Sequence, residues 1–186
     1  KTLTVNGGFE AELVTIFSGA GSIVFGGTNI REIYPQWFGA ANGAADNSAA
    51  FTKTVAAITS KGNIKLSADA VFRLLTTVAC GTKDIGIIGK GQIELGADTY
   101  AFSTSGGILR ISDVVFTTVT SGTGIVASAV SASQGIFENN KVISLWGGWH
   151  NYWNESVFDG NDITMWPVSN LGSYGIHLPG SNNKAV

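Results

Sequence analysis

One pattern occurs twice in the stretch Phe137-Glu138-Asn139-Asn140-Lys141-Val142 and Phe158-Asp159-Gly160-Asn161-Asp162-Ile163: an asparagine lies three residues after one apolar residue and two residues before another. Looser copies precede it, in which the three positions are Ile88, Gly91 and Ile93, and then Ile111, Val114 and Phe116. The first positions, 88, 111, 137 and 158, lie 23, 26 and 21 residues apart. Self-similarity at a period of about 20 to 30 residues predicts a solenoid, whose coils bury their inward side chains by stacking on one another.

The residue types in these repeats favour an all-β solenoid. Leucine-rich repeats share the period, but they need recurrent leucines and helical returns, whereas these repeats are rich in β-branched residues, asparagine and glycine. We therefore predict a parallel β-helix. A β-sandwich in which the spacing is accidental is the remaining alternative.

Composition limits the protein class. The 186 residues suit one domain, and 44% hydrophobic against 13% charged residues is far from the composition of disordered chains. A net charge of -2 gives no positive field, so we expect neither nucleic acid nor an anionic membrane surface as a partner. The single cysteine, Cys80, excludes an internal disulfide, and the apolar runs are shorter than the roughly 20 residues of a membrane-spanning helix. We predict no metal site and no cofactor.

Changes in the residue pattern divide the chain into three parts. Residues 1–45 contain short alternating runs separated by glycines, which predict a β-rich cap. Residues 46–62 contain apolar residues at helical spacing, with Asp46 or Ser48 as the N-terminal cap and a glycine at the end. Residues 63–186 are predicted to form the coils. The last residues resemble the beginning of another strand, so we expect the protein to continue beyond 186.

Several motifs resemble a known family. The motifs are Trp37-Phe38-Gly39-Ala40, Asp46-Asn47-Ser48-Ala49-Ala50-Phe51, Gly62-Asn63-Ile64-Lys65-Leu66 and Asp84-Ile85-Gly86-Ile87-Ile88-Gly89-Lys90-Gly91. They resemble the N-terminal part of the pectate-lyase-like superfamily. The preceding Gly8-Phe9-Glu10-Ala11, Ile16-Phe17 and Glu32-Ile33-Tyr34-Pro35 are similar to bacteriophage tailspike and tail fibre proteins in particular. This chain has Asn42-Gly43-Ala44-Ala45 where the family usually has Gly-Asp-Gly, so only the fold is carried over from that loop.

The resemblance implies a right-handed parallel β-helix with an N-terminal cap and one short α-helix. It also implies a homotrimer on the virion tail, outside the cell, which joins other phage tail proteins and binds bacterial capsule or lipopolysaccharide. Such proteins often depolymerise the polysaccharide, so enzyme activity is open. The alternatives are a secreted bacterial polysaccharide lyase or hydrolase, and a purely structural β-helix tail module.

An aromatic cluster around the last repeat predicts the substrate-binding residues, and its segment 146–153 lies between two repeats, where a β-helix places its variable loops. Its members are Trp146, Trp149, Tyr152, Trp153 and Trp166. Flat rings edged with hydrogen-bonding groups suit sugars, whose CH faces are apolar and whose hydroxyls need directed partners. The alternative is that one or two of these rings fill a coil interior or a trimer contact.

Carboxylates beside the same turns are the candidate catalytic residues. Glu138 and Asp159 follow equivalent apolar residues, so they are predicted to stack on adjacent coils about 4.8 Å apart, and Asp162 lies nearby. Paired carboxylates serve glycoside hydrolysis. Alternatively, carboxylates at turns simply accept backbone N–H groups. Asn140 and Asn161 are predicted to form a stacked turn ladder rather than a binding site.

Overall fold

A computed structural model describes residues 1–26, 32–96, 99–119, 124–143, 145, 147–164, 174–176 and 184–185. In chain order its elements are β1 (Thr2–Val5), β2 (Ser22–Phe25), β3 (Glu32–Ile33), a 3₁₀ turn (Pro35–Phe38), α1 (Ser48–Ala57), β4 (Lys61–Lys65), β5 (Val71–Leu74), β6 (Val78–Gly81), β7 (Asp84–Ile88), β8 (Gln92–Leu95), β9 (Tyr100–Ser105), β10 (Ile108–Ser112), β11 (Val115–Thr118), β12 (Ile125–Glu138), β13 (Lys141–Ile143), β14 (Gly147–Trp153), β15 (Val157–Asp159), β16 (Asp162–Thr164), β17 (Tyr174–Ile176) and β18 (Lys184–Ala185).

The strands from β3 onward stack in parallel as a β-solenoid of about six turns with three faces. Face 1 contains β3, β4, β7, β10, the second half of β12, β15 and β18. Face 2 contains β5, β8, β11, β13 and β16. Face 3 contains β6, β9, the first half of β12, β14 and β17. The prediction of a parallel β-helix is confirmed, and the β-sandwich alternative is wrong.

The predicted repeat register holds except in the first copy. Phe116 pairs with Ile93 on one side and with Val142 on the other. Ile111, however, pairs with Ile87, whereas Ile88 was predicted. The turn after β7 is one residue longer than its equivalents, so the inward position moves back by one, and Ile87 is buried while Ile88 is half-exposed.

Helix α1 covers the N-terminal end of the coil interior. Its Phe51 is buried, with its ring 5.5 Å from that of Phe72 in the first coil. The helix is shorter than the predicted range 46–62, because the chain is already extended at Ile58 and enters β4 at Lys61. The Asp46 carboxylate accepts the Ser48 N–H at 2.8 Å, which satisfies one of the free donors of the first helical turn.

Residues 1–26 pack on the motif Trp37-Phe38-Gly39-Ala40. Strands β1 and β2 form a separate two-stranded parallel sheet. Phe9 lies 4.9 Å from the ring of Trp37, and Phe17 lies 5.3 Å from the ring of Phe38. The N–H groups of Ile16 and Phe17 both donate to the Trp37 carbonyl. These ring contacts and hydrogen bonds join residues 1–26 to the 3₁₀ turn Pro35–Phe38.

Candidate functional site

The two tryptophans predicted to stack on sugar, Trp149 and Trp153, lie inside the solenoid. Both side chains are 0% exposed. The Phe137 ring lies 5.1 Å from Trp149 and 5.0 Å from Trp153. The prediction that they bind substrate is therefore wrong.

The reason is that residues 147–153 form strand β14 and not a loop between repeats. Side chains alternate between the two sides of a strand, so Trp149 and Trp153, four residues apart, face the same way. The ring of Trp149 also lies 5.5 Å from that of Phe158 in the next coil. Tyr152 belongs to the same strand, but the description covers only its backbone, and Trp146 and Trp166 lie outside the described residues.

The predicted pairing of Glu138 and Asp159 is confirmed. The residues end β12 and β15 and are register partners on face 1. Both side chains are exposed. Each is followed by a residue in the left-handed region, Asn139 at φ 55° and Gly160 at φ 60°. The chain turns sharply after each carboxylate, which leaves the pair at the corner between faces 1 and 2.

Asparagines directly behind this corner fix its backbone. Asn140 Nδ2 donates to the Ile111 carbonyl at 2.8 Å, and Asn140 Oδ1 accepts the Val114 N–H at 3.1 Å. Asn161 Nδ2 donates to the Phe137 carbonyl at 2.8 Å. The predicted turn ladder is confirmed, and it holds the backbone that carries Glu138 and Asp159 in place.

The third candidate carboxylate, Asp162, lies across the turn on face 2. It is the register partner of Lys141, and Lys141 Nζ lies 4.0 Å from its Oδ2. Both side chains are exposed, so this ion pair stabilises the fold little. Glu138 and Asp159 are therefore neighbours on one face, whereas Asp162 lies on another face beside Lys141.

Further residues on face 1 extend the carboxylate pair and were missed by the sequence analysis. Gln134 Nε2 donates to Glu155 Oε2 at 3.2 Å. Ile136 and Val157 are half-exposed register partners. We define the outer band as Gln134, Ile136, Glu138, Glu155, Val157 and Asp159. The alternation from Gln134 to Glu138 is the signal that could have found it, because every second residue of a strand shares one side.

The outer band suits binding better than cleavage. Its carboxylates accept hydrogen bonds, and its two apolar residues offer a flat patch. Paired carboxylates about 5 to 5.5 Å apart serve retaining glycosidases, and those enzymes use apolar surroundings to prepare the general acid. Glu138 and Asp159, by contrast, are both exposed to solvent at a corner of the solenoid.

Among the residues that the structure describes, the other titratable groups form no second candidate centre. Burial raises the pKa of the Cys80 thiol to about 12, despite the nearby charge of Lys83, so the thiol is a poor nucleophile. Within the described part of the chain, no three His, Cys, Asp or Glu side chains lie close enough to hold a metal ion, and no helix there is long and apolar enough to cross a membrane. No protein-family model, curated protein or solved structure matches this chain.

Proposed function

We propose that this chain is part of a phage tailspike or tail fibre that attaches to bacterial surface polysaccharide through the outer band. The parallel β-solenoid supports the proposal because it is compatible with such a module. The observation that carries it is the exposed pair of Glu138 and Asp159, which are register partners on adjacent coils. Gln134 and Glu155 extend the pair by a second polar contact on the same face.

The geometry of the band fits a polymer of sugars. Neighbouring coils repeat their side chains about every 4.8 Å, so hydroxyls along a glycan meet acceptors at regular intervals. Ile136 and Val157 supply an apolar surface for the CH face of a ring. The band contains three carboxylates, Glu138, Glu155 and Asp159. Two cations lie on the neighbouring coils: Arg110, which is ion-paired with Asp84, and Lys184. Electrostatic complementarity therefore favours a neutral or amino-sugar polymer over one rich in uronic acids.

The proposal includes the assembly that the sequence resemblance implies. Three copies form a homotrimer, which joins other tail proteins on the virion and acts outside the cell. Light scattering with size-exclusion chromatography tests the trimer directly. A monomer that releases unsaturated sugars would instead support the alternative of a secreted lyase.

A purely structural tail module is the second candidate. It is favoured by the burial of Trp149 and Trp153, which removes two rings from the predicted sugar site. Cross-coil ion pairs also occupy charged side chains elsewhere on the outer surface, such as Arg73 with Glu94 at 2.7 Å. Such pairs stiffen a shaft without binding any ligand.

Glycan binding by matched variants separates these functions. The purified chain is applied to immobilised bacterial capsules and lipopolysaccharides, and sugar release is measured in the same wells. The Glu138→Gln/Asp159→Asn double variant should weaken binding about 30-fold, since it loses two charge-assisted hydrogen bonds that each contribute on the order of 1 kcal/mol. Asp69→Asn is the control, because Asp69 is an exposed carboxylate in the first coil whose φ of 61° asparagine tolerates.

The outcomes are distinct. Loss of binding in the double variant but not in Asp69→Asn supports the outer band. Equal binding by parent and double variant places the glycan elsewhere, and no binding by the parent to any polysaccharide supports the structural module. Sugar release that stops in Asp159→Asn while binding persists would assign catalysis to this pair.

A further inference from the structure

A cleft beside β2 in the N-terminal cap is independent of the outer band. Its volume is about 380 Å³, within the range of about 300 to 1,000 Å³ that is typical of ligand sites. It lies between the segment that leads into β2 and one side of helix α1. Phe17, Phe38, Ile23, Val24 and Ala56 supply most of its apolar lining.

One wall of the cleft is an open strand edge. The N–H groups of Ser22 and Gly26 donate to the carbonyls of Lys1 and Val5, so the even-numbered residues of β2 bond to β1. In a parallel ladder the intervening residues direct their N–H and C=O groups to the opposite side. The backbone of Ile23 therefore faces away from β1, on the side where a further strand would pair.

The same edge is already occupied one step further along. Phe25 forms a parallel bridge with Ile58, and its carbonyl accepts the Thr59 hydroxyl at 3.1 Å. The edge is thus closed at Phe25, whereas at Ile23 it borders the cleft. Gly19 and Gly21 precede β2 at the cleft and have no side chains to obstruct an incoming chain.

Charge indicates what the incoming chain carries. Lys53 is exposed, and of the described residues that line the cleft it alone carries a charge. An ammonium group at the rim of an apolar cleft favours an occupant with a carboxylate. Strand addition supplies main-chain hydrogen bonds, and side-chain pockets supply selectivity.

We infer that this cleft binds an extended peptide segment of a partner protein, which pairs with the β2 edge at Ile23 and places an acidic side chain near Lys53. The peptide adds a third strand to the β1–β2 sheet. Its apolar side chains contact Phe17 and Phe38.

Calorimetric titration of the 186-residue chain tests this with defined probes. The probes are two blocked hexapeptides of alternating valine and threonine, one ending in glutamate and one in lysine. The glutamate peptide should bind about fivefold more tightly, which is the size of one partly exposed ion pair. N-methylation of its central amides should abolish binding, because a ladder needs those N–H groups.

Variants of the chain complete the test. Lys53→Glu should reverse the preference between the two peptides, and Lys90→Glu, at an exposed lysine in the turn after β7, should leave it unchanged. If Lys53→Glu alters the melting curve, Lys53→Gln replaces it in the test and should remove the preference between the two peptides. Failure of both peptides to bind, or an unchanged preference in Lys53→Glu, overturns the inference. Octanoate binding in the cleft, with no binding of either peptide, overturns it in favour of a small-molecule site.

Discussion

Asn140 and Asn161 occupy the same turn in neighbouring coils, and Oδ1 of Asn161 accepts both the backbone N–H and the Nδ2 group of Asn140, at 3.1 and 3.0 Å. Asn140 in turn bonds the Ile111 carbonyl and the Val114 N–H of the preceding coil. Asn140 is only 1% exposed. A buried side chain therefore connects three successive coils at one corner.

Replacing this asparagine should destabilise the solenoid. Asn140→Ala leaves the Ile111 carbonyl and the Val114 N–H without their buried partner, which should lower the free energy of unfolding by about 2–3 kcal/mol. Urea denaturation measures the change. Asn139→Gly is the control and should be nearly neutral, because Asn139 is exposed and its φ of 55° suits glycine. Equal losses in both variants would show that the ladder is not the source of stability.

The inward position of Val142 gives a second stability prediction. Val142 is buried between its register partners Phe116 and Ile163. Val142→Asp should cost several kcal/mol, on the order of 3 or more, because it buries a charge without a partner. Ile143→Asp is the control, since the next residue points to the outer side and is only half-buried. Circular dichroism melting should show collapse for the first variant and a small shift for the second.

The fold was predictable because its repeats are carried by inward residues. Phe137, Val142, Phe158 and Ile163 keep the same spacing in two coils, and the structure pairs them as predicted. The register predicted for the first repeat was wrong by one residue, because Ile87 and Ile88 are both apolar. Hydrophobicity alone does not distinguish which of two adjacent isoleucines points inward, and the length of the following turn decides it.

The site was only partly predictable. The pairing of Glu138 with Asp159 follows from the repeat, but the function of the aromatic residues depends on which side of a strand each ring faces. The alternation of a strand places Trp149 and Trp153 together inside, whereas the loop predicted for residues 146–153 implies no such alternation. Aromatic rings suit both a sugar site and a core, so their density alone does not decide between the two.

Burial of Cys80 gives a pH prediction. Its pKa rises from 9.0 to about 12 in the folded chain, because burial disfavours the thiolate. Above pH 9 the unfolded chain therefore binds fewer protons at this group than the folded chain, and the stability that the thiol contributes declines as the pH rises toward 12. Urea denaturation from pH 8 to 11 should show a shallower decline for Cys80→Ala than for the parent. Parallel pH profiles would contradict this assignment.

Lys83 stabilises the C-terminal end of helix α1. Its Nζ donates to the carbonyls of Val55 and Ile58, at 2.7 and 2.6 Å. A cation at this end also interacts favourably with the helix dipole. Lys83→Met keeps the apolar stem and should cost about 1–2 kcal/mol, measured by urea denaturation. Lys90→Met, at an exposed lysine, should change stability by less than about 0.5 kcal/mol, and an equal loss there would contradict the capping role of Lys83.

Trp149 distinguishes a core residue from a sugar-binding residue. Trp149→Ala should lower the free energy of unfolding by about 3–5 kcal/mol, because the cavity it leaves borders Phe137 and Phe158 in two coils. Trp149→Phe should cost less, since a ring still fills part of that space. Glycan affinity, measured below the melting temperature, should match the parent in Trp149→Phe. Val130→Ala is the control, because Val130 is 64% exposed and its loss should scarcely move the melting curve. A stable Trp149→Ala variant with weakened glycan binding would instead show that this ring contacts the glycan.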